Sequence, residues 1–354
     1  MSKQIPVRIL VLLVIVFSLL SGCKAASPKA VTQNKAAIPF NILTLTSINN
    51  SGLLRQLTPA FEQANHCKVS ITGCANSAEL MELVRNDKEI RRFDLVIGLD
   101  NCFLNGAEDY SLFASTELPK KIKIRSECQI EKSGRIIPYG YGYLALLYNQ
   151  AKINPPPETF GELQDAAFQN QMVVCNPHTS AVGRATLLWT VALFGETGYQ
   201  QFWKSIKKNI FTVSETSQDA LNLLQNQTCS MTFGLSGTPA WITQTQTNPA
   251  PVALSMLQEG SFLYVEAAAI PKKAKQKALA EAFLSSLLTP EHQTQMTSCL
   301  GLLPVNDSAP LPTLFAGTPY YAVSVNNQLS QTTIEHNLNN WLAFWDRLFS
   351  HTLY

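Results

Sequence analysis

Two series of alternating strand and helix patterns restrict the fold of this chain more than any other feature of its sequence. In the first series, apolar strand patterns cover 40–46, 68–72 and 94–97, and helical patterns separate them. Repeated right-handed crossovers between such strands build a parallel sheet that is covered by helices and binds ligands at the carboxyl ends of its strands. The first series therefore predicts an α/β unit.

The helices of this series differ in how clearly the sequence marks them. A stripe of apolar residues within 77–87 predicts an amphipathic helix. An earlier helix ends at about Asn65, and Thr58, which precedes Pro59, is the candidate cap of a shorter version of that helix.

A second series of the same kind predicts a second α/β unit. Its strands cover 172–175, 210–213 and 230–233, and its helices cover about 182–194 and 217–225, with a short helix from Pro239. Between the two series lies one long apolar segment, 136–148 (IIPYGYGYLALLY), which predicts a strand that runs from one unit to the other.

The remaining patterns return the chain to the first unit. Asn154 and three prolines end the long strand, and Thr159 can cap a helix that carries Phe160 and Leu163. Further on, the sequence predicts strands at 252–257 and 261–269, a helix at 275–288, and a last helix with one stripe of Trp341, Phe344, Trp345 and Leu348.

These patterns together predict a two-lobed α/β clamshell whose lobes are joined by hinge strands. Lobe 1 takes about 39–140 and part of 262–354, and lobe 2 takes about 141–261. With 46% hydrophobic residues, the chain can supply one large core or two medium ones.

The N-terminal segment predicts a lipid anchor. Residues 1–22 carry Lys3 and Arg8 before an apolar run too short to span a membrane comfortably, which is typical of a signal peptide. The motif LSGC, which ends at Cys23, resembles the signal-peptidase II site of bacterial lipoproteins. We expect an acylated Cys23, for instance by palmitate, and a flexible tether over 23–38. The protein is then periplasmic or otherwise extracytoplasmic and membrane-anchored; an uncleaved signal anchor is the alternative.

Charge argues against one class of partner. The chain has 27 Lys and Arg against 25 Asp and Glu, and Lys3 and Arg8 leave with the signal peptide. A mature chain without net charge is not expected to bind nucleic acid. We expect a monomer that binds a small molecule.

Seven cysteines follow Cys23, and in an oxidising compartment some of them are expected to pair, although an odd number leaves at least one unpaired. The sequence does not define the pairing. No Cys-x-x-Cys or His-bearing zinc spacing occurs, so we expect no metal site. The seven are Cys67, Cys74, Cys102, Cys128, Cys175, Cys229 and Cys299.

Three loops share one design, in which polar residues follow a strand and precede a helix. They contain Asn76 and Ser77, residues 176–180, and residues 235–238. Helix N-termini present unpaired N–H groups and the positive end of the helix dipole, so such loops accept phosphate, carboxylate or neutral acceptor groups. Ser and Thr at these positions can equally cap their own helices.

Asp100 lies three residues after the strand pattern at 94–97, so its carboxylate can either bind a cation or hold its own loop through backbone N–H groups. No Gly-x-Ser-x-Gly elbow accompanies His178 and Ser180, and we expect no catalytic residue. Cys102 is the thiol predicted in a cleft loop, where Glu266 could act as its base.

Five short motifs follow one another along about 40–347. They are 94–101 (DLVIGLDN), 138–149 (PYGYGYLALLYN), 154–163 (NPPPETFGEL), 176–189 (NPHTSAVGRATLLW) and 264–268 (YVEAA). In this order and spacing the chain resembles the thiamine-binding periplasmic proteins, which are type II solute-binding proteins of bacterial ABC importers.

The resemblance implies two lobes that close on a small polar solute and deliver it to an ABC permease and its ATPase, with no chemical step and no cofactor. Thiamine or a thiamine-like compound is the named candidate. Carried over position by position, the ligand-contact residues are Asn76, Ser77, Ser180, Ala181, Thr216, Leu235, Ser236, Gly237 and Thr238, and Asp100 is added from the strand pattern.

The chain departs from this family at its aromatic cage. Family members hold a cationic heterocycle between Trp and Tyr rings, which suits a flat cation. Here the matching positions are Thr216, Leu235 and either Leu300 or Gly301, and the acidic residue expected in the first loop is Asn76. The resemblance therefore leaves the identity of the solute open.

Two alternatives remain on the same fold. A thiamine-degrading transferase has a similar bilobal fold with a Cys nucleophile, so an enzyme that uses Cys102 is one of them. The other is a scaffold lipoprotein that has lost transport, which neighbouring genes for a permease and an ATPase would distinguish from a transport protein.

Overall fold

A computed structural model describes residues 36–319 and 324–350, and these form one ten-stranded mixed sheet with helices packed on it. The first α/β series forms the arrangement β2-β1-β3, in which both pairs are parallel. Its elements are β1 (Ile38–Leu45), α1 (Thr46–Asn50), α2 (Leu53–Asn65), β2 (Cys67–Cys74), α3 (Ser77–Arg85) and β3 (Leu95–Asp100), followed by a short α4 (Gly106–Tyr110).

The long apolar segment forms one strand, β4 (Ile137–Asn149), and all 13 of its residues are buried. After it the second series forms a second arrangement of parallel strands, β6-β5-β7, in which β7 also pairs antiparallel with β4. Its elements are β5 (Met172–Cys175), α5 (Ala181–Ile206), β6 (Ile210–Ser214), α6 (Ser217–Gln225), β7 (Met231–Leu235) and α7 (Thr238–Thr245).

The C-terminal part of the chain contributes strands to both halves of the sheet. It contains β8 (Val252–Ser255), β9 (Leu263–Ala269), α8 (Lys277–Leu287), α9 (Pro290–Leu300), β10 (Leu303–Pro304) and α10 (Gln331–Phe349). β9 lies between β3 and β4 and is antiparallel to both. β8 and β10 also pair with β4, and both are antiparallel to it.

β4 therefore joins the two halves of the sheet. Its first part, from Ile137 to Tyr143, pairs with β9, and its second part, from Leu144 to Tyr148, pairs with β7. The prediction of an α/β fold with a strand that runs between two units is confirmed. The lobe boundaries proposed from the sequence remain a prediction.

Three helical predictions need correction, and one helix was not predicted. α2 does not begin at Thr58 but runs through Pro59, because its buried face of Leu53, Leu54, Leu57 and Phe61 outweighs the lost backbone hydrogen bond. After Thr159 the chain forms only two short 3₁₀ turns, at Glu162–Gln164 and Ala166–Phe168. α5 extends well beyond residue 194, with a kink at Gly195, and α9 has no counterpart among the predicted helices.

The expectation of paired cysteines is wrong for the described residues. All seven thiols that follow Cys23 are free, and six of them are buried. Cys67 and Cys74 illustrate the reason, because they are the first and last residues of β2. At 3.3 Å per residue their Cα atoms lie roughly 23 Å apart, whereas the Cα atoms of a disulfide lie within about 7 Å of each other.

The anchor predicted at Cys23, the signal peptide at 1–22 and most of the tether lie outside the described residues. Within 36–319 and 324–350, no helix has both the length and the apolar composition of a membrane span.

One buried carboxylate ties three elements of the first half together, and its loss gives the first prediction. Asp94 Oδ2 accepts a hydrogen bond from the N–H of Asn41 on β1, at 2.9 Å, and Oδ1 accepts from the N–H groups of Lys275 and Gln276 before α8, at 3.0 and 2.9 Å. Because Asp94→Ala leaves three N–H groups without this acceptor, we expect a loss of about 3 kcal/mol or more in the free energy of unfolding, measured by urea denaturation.

The exposed Asp87, which pairs with Arg91 and Lys273, provides the matched control. Asp87→Ala is expected to lower the free energy of unfolding far less, because solvent screens an exposed pair. Equal losses in the two variants would contradict the role assigned to Asp94.

Candidate functional site

A cavity of about 690 Å³ lies where the loops that follow β1, β2, β5, β6 and β7 meet. From the first half come residues 45–51 and 75–77, and from the second half come 179–182, 215–219 and 233–235. Part of β9 and the region around α9 complete the wall. A cavity of this size and position is typical of a small-molecule site.

The position of the cavity follows from the topology of the two halves. In the first half, the next two strands of the parallel set lie on opposite sides of β1, with β2 on one side and β3 on the other. The second half repeats this order, with β6 and β7 on opposite sides of β5. Loops diverge at such a switch point, which leaves a crevice outside the carboxyl ends of the strands. The two crevices open onto the same cavity.

Three helices begin at the cavity wall, and each is capped by a predicted site residue. Asn76 Oδ1 accepts from the N–H of Glu79 at 3.0 Å, Ser180 Oγ from Gly183 at 3.2 Å, and Thr216 Oγ1 from Asp219 at 3.1 Å. The caps use the third N–H of α3, α5 and α6, so the first two of each helix remain without an intrahelical partner. The capping interpretation and the ligand-loop interpretation are thus compatible.

Seven of the ten predicted ligand-binding residues line this one cavity. Ser77 and Ser180 are nearly fully buried, at 4% and 5% exposure, so they sit deep in the wall rather than at its rim. The seven are Asn76, Ser77, Ser180, Ala181, Thr216, Leu235 and Thr238. Their contact with a ligand remains a prediction.

The other three residues lie behind the wall and have structural partners. Ser236 donates its N–H to the carbonyl of Tyr143 on β4 at 2.8 Å, and its Oγ accepts from the N–H of Tyr143 at 3.3 Å. Gly237 faces Gly301 so closely that an added Cβ would lie 2.1 Å from the carbonyl oxygen. Asp100 Oδ1 accepts from the N–H groups of Cys102 and Phe103, at 2.8 and 2.9 Å, and so holds its own loop.

The charged side chains in the wall are all acidic. Glu215, Asp219 and Glu266 line the cavity, and the described wall includes no Lys, Arg or His. Glu215 accepts hydrogen bonds from Asn176 and Thr179, and Asp219 accepts one from Thr216, so both also hold their loops. The arrangement favours a cation, and the free helix N–H groups can donate hydrogen bonds to acceptor atoms of the same solute.

Glu266 on β9 is the deepest of these acids. Its two carboxylate oxygens accept hydrogen bonds from Tyr139 Oη at 2.6 Å and Tyr264 Oη at 3.0 Å. Burial raises the pKa of Glu266 to about 7, although the two tyrosine hydroxyls act in the opposite direction and stabilise the charged form. Glu266 was considered from the sequence only as a possible base for Cys102.

Three aromatic side chains line the wall although the family's cage positions hold none, namely Phe233, Trp241 and Tyr264. Trp241 on α7 and Tyr264 on β9 both face the cavity, and the indole Nε1 of Trp241 donates to the carbonyl of Cys299 at 2.9 Å. Trp241 lies six residues beyond Leu235, so it does not match any of the ligand-contact positions carried over from the family. Its only sequence signal was a large aromatic residue in the first turns of a helix that begins at a predicted site loop.

Cys102 does not form part of the wall. It is 2% exposed, and its burial together with the charge of Asp100 raises the pKa of the thiol well above its ordinary value. A buried thiol of this kind is a weak nucleophile. Among the described residues, no three His, Cys, Asp or Glu side chains are placed to hold a metal ion.

The family comparison matches the part of the chain that builds most of this site. Residues 92–327 match the family described as bacterial extracellular solute-binding protein. That range contains all of the second half of the sheet, β4 and β9.

Curated relatives and solved structures agree with this match. The chain is 27% identical to the thiamine-binding periplasmic protein of Salmonella typhimurium over 294 residues, 82% of this chain and 87% of the relative. It is 25% identical to that of Escherichia coli over 297 residues, with 82% and 87% coverage.

Two solved structures share the fold. A periplasmic thiamin binding protein superposes with a TM-score of 0.77 at 24% identity, covering 88% of this chain and 96% of the other. The periplasmic binding protein AfuA from Actinobacillus pleuropneumoniae, with fructose-6-phosphate bound, gives 0.73 at 16% identity, covering 90% and 99%. The chain therefore belongs to the bacterial extracellular solute-binding protein family and has the type II periplasmic binding protein fold.

Proposed function

We propose that this protein is the solute-binding component of an ABC importer and that it captures thiamine or a thiamine-like cation between its two lobes for delivery to a permease. The observation that carries the proposal is the cavity itself, which combines an acidic wall with the rings of Trp241 and Tyr264. A flat organic cation gains from both, because aromatic faces and carboxylates attract positive charge.

The named relatives support the choice of thiamine. Both relatives described above are thiamine-binding periplasmic proteins, and each matches more than four fifths of this chain. The aromatic positions differ, however, since Thr216 and Leu235 stand where the family has rings. We propose that Trp241 supplies stacking from α7 instead, so the cation class is kept while the set of contacts has changed.

Thiamine binding is the direct test, with the soluble chain from residue 36 onwards as the protein. We expect thiamine to raise the melting temperature by a few degrees, because a ligand at 100 times its Kd stabilises the folded state by about 2.7 kcal/mol. Trp241→Ala should weaken binding by 2- to 30-fold, as expected for about 0.5–2 kcal/mol of cation–π attraction, and Trp241→Phe should lose less. Calorimetric titration measures both effects.

Phe211, a 46% exposed ring on β6 that is not part of the wall, provides the matched control. Phe211→Ala should leave the Kd for thiamine unchanged. If thiamine, its phosphates and its pyrimidine half all fail to shift the melting temperature, the ligand proposed here is wrong.

We further propose that the protein carries out no chemical step. The enzyme alternative needs Cys102 as a nucleophile, but this side chain is buried behind the wall and its Sγ contacts Asn101 Oδ1 at 3.6 Å. Cys102→Ser should therefore bind thiamine with the same affinity as the unaltered protein, and neither should cleave it. Cleavage by the unaltered protein that disappears in Cys102→Ser, but persists in the equally buried Cys128→Ser, would establish the enzyme instead.

The lipid anchor remains part of the proposal. We expect the full-length protein, expressed in a bacterium, to appear in the membrane fraction and to incorporate labelled palmitate, because acyl chains on Cys23 partition into the bilayer. Cys23→Ser should remove both signals, whereas Cys67→Ser, which changes a buried thiol of the domain, should remove neither. A Cys23→Ser protein that still incorporates the label would contradict the anchor.

A further inference from the structure

Two irregularities of the sheet converge on Glu266. β9 is flanked by β3 and β4, and the register shifts between Ile97 and Leu99 on one side and between Pro138 and Gly140 on the other. Beyond these shifts, Asp100 and Gly140 both lie opposite Glu266. Bulges of this kind re-aim side chains and are common beside functional sites.

Each irregularity brings one group to the carboxylate. The extra residue on β4 is Tyr139, whose hydroxyl donates to Glu266 at 2.6 Å. The extra residue on β3 is Gly98, which has a φ of +101° and whose added Cβ would meet Ile48 at 2.9 Å, so a glycine is required there. The result places two carboxylates, Asp100 and Glu266, side by side across the β3–β9 pair.

The charges around this pair do not balance. From α5, Arg184 stabilises the charge of Asp100, and its guanidinium also lies 4.1 Å from the ring of Phe103. Around Glu266 the facing groups are the neutral hydroxyls of Tyr139 and Tyr264, the acid Asp100 and, further back, the thiol of Cys102. Two carboxylates thus share one positive charge, and the cavity side of the pair has none.

We infer that Glu266 recognises the positive charge of the solute, and that capture of the solute expels a proton which the Glu266–Asp100 pair otherwise retains. This inference rests on the proposed function and adds the selecting residue and the coupling to pH. The step balances, because a protonated carboxyl exchanges its proton with water while the solute cation takes its place as the counter-charge. No covalent bond to carbon is made or broken.

Burial and the neighbouring charge of Asp100 hold this proton on Glu266 at neutral pH. Desolvation raises the pKa of Glu266 to about 7 and that of Asp100 to about 6, and the charge of Asp100 raises the pKa of Glu266 further. Because a cation binds the charged form, its apparent affinity should be constant above pH 8 and should fall about tenfold by pH 6. The free energy of unfolding of the empty protein has the opposite trend: it decreases as the pH rises from about 4, where the unfolded carboxyls ionise, and levels off above about 7.

Calorimetric titration of thiamine into the unaltered protein at pH 7, in buffers with different ionisation enthalpies, tests the inference directly. We expect about half a proton to be released for each thiamine bound, since a group with a pKa near 7 is half protonated there. In Glu266→Gln the release should vanish, the Kd should rise at least tenfold, and the Kd should no longer change between pH 6 and pH 8.

Glu196 supplies the matched control, because it also accepts hydrogen bonds from an aromatic side chain, Trp341 Nε1, but lies outside the wall. Glu196→Gln should retain the Kd, the proton release and the pH dependence of the unaltered protein. Thiamine binding without proton release, or with the same pH dependence in Glu266→Gln, would overturn the inference while leaving thiamine as the ligand.

If thiamine does not bind, the charge of the true solute distinguishes the proposal of thiamine from the proposal that Glu266 recognises a cation. Mass spectrometry of the solute that co-purifies with the protein identifies that charge. A different organic cation would refute thiamine and support recognition by Glu266, whereas an anionic or neutral solute would refute both.

Discussion

The structure depends on β4, a single buried strand that belongs to both halves of the sheet. Over its first part it pairs with β9 and β10, and over its second part with β7 and β8, so its backbone groups are used by four other strands. An interior strand of this kind cannot shift by one residue without turning its side chains to the opposite face. The relative register of the two halves is therefore set by one continuous stretch of backbone.

The glycines and tyrosines of β4 also shape the site. Gly140 and Gly142 allow Leu302 and Leu235 of the cavity wall to approach, and an added Cβ would meet them at 2.8 and 3.3 Å. Tyr139, at the bulge, points its hydroxyl at Glu266. The strand that holds the halves together thus also fixes the base of the cavity, and the loops at the ends of the parallel strands only complete it.

Much of this could be predicted from the sequence, because strands and helices of α/β folds carry strong periodic patterns. The three loops before α3, α5 and α7 were found for the same reason, since strand, polar loop and helix follow one another in each. α9 was missed because its core-facing side is polar: Gln293 is fully buried and bonds to the backbone of Tyr139, Leu287, Val305 and Asn306. A buried glutamine of this kind interrupts the apolar stripe on which helix prediction relies.

The positions of Glu266 and Trp241 in the cavity wall could not be predicted, because they depend on register and direction rather than on local pattern. Glu266 is one polar residue in an apolar strand, and only the two bulges beside it reveal that Asp100 and Tyr139 meet it. Conversely, three predicted site residues follow strands but contact backbone groups of their neighbours instead of lining the cavity. They are Asp100, Ser236 and Gly237. Sequence finds the loops of such a site more readily than the atoms that face its interior.

The distribution of tryptophan gives the protein a built-in optical signal. All five tryptophans lie in the described ranges, and Trp189, Trp203, Trp341 and Trp345 are buried in the core, whereas Trp241 is the one in the cavity wall. A solute that binds in this cavity would therefore change the surroundings of one indole in five, against a constant background from the other four. Ultraviolet emission would then report occupancy of the cavity without an attached dye, so the protein is a starting point for a label-free sensor.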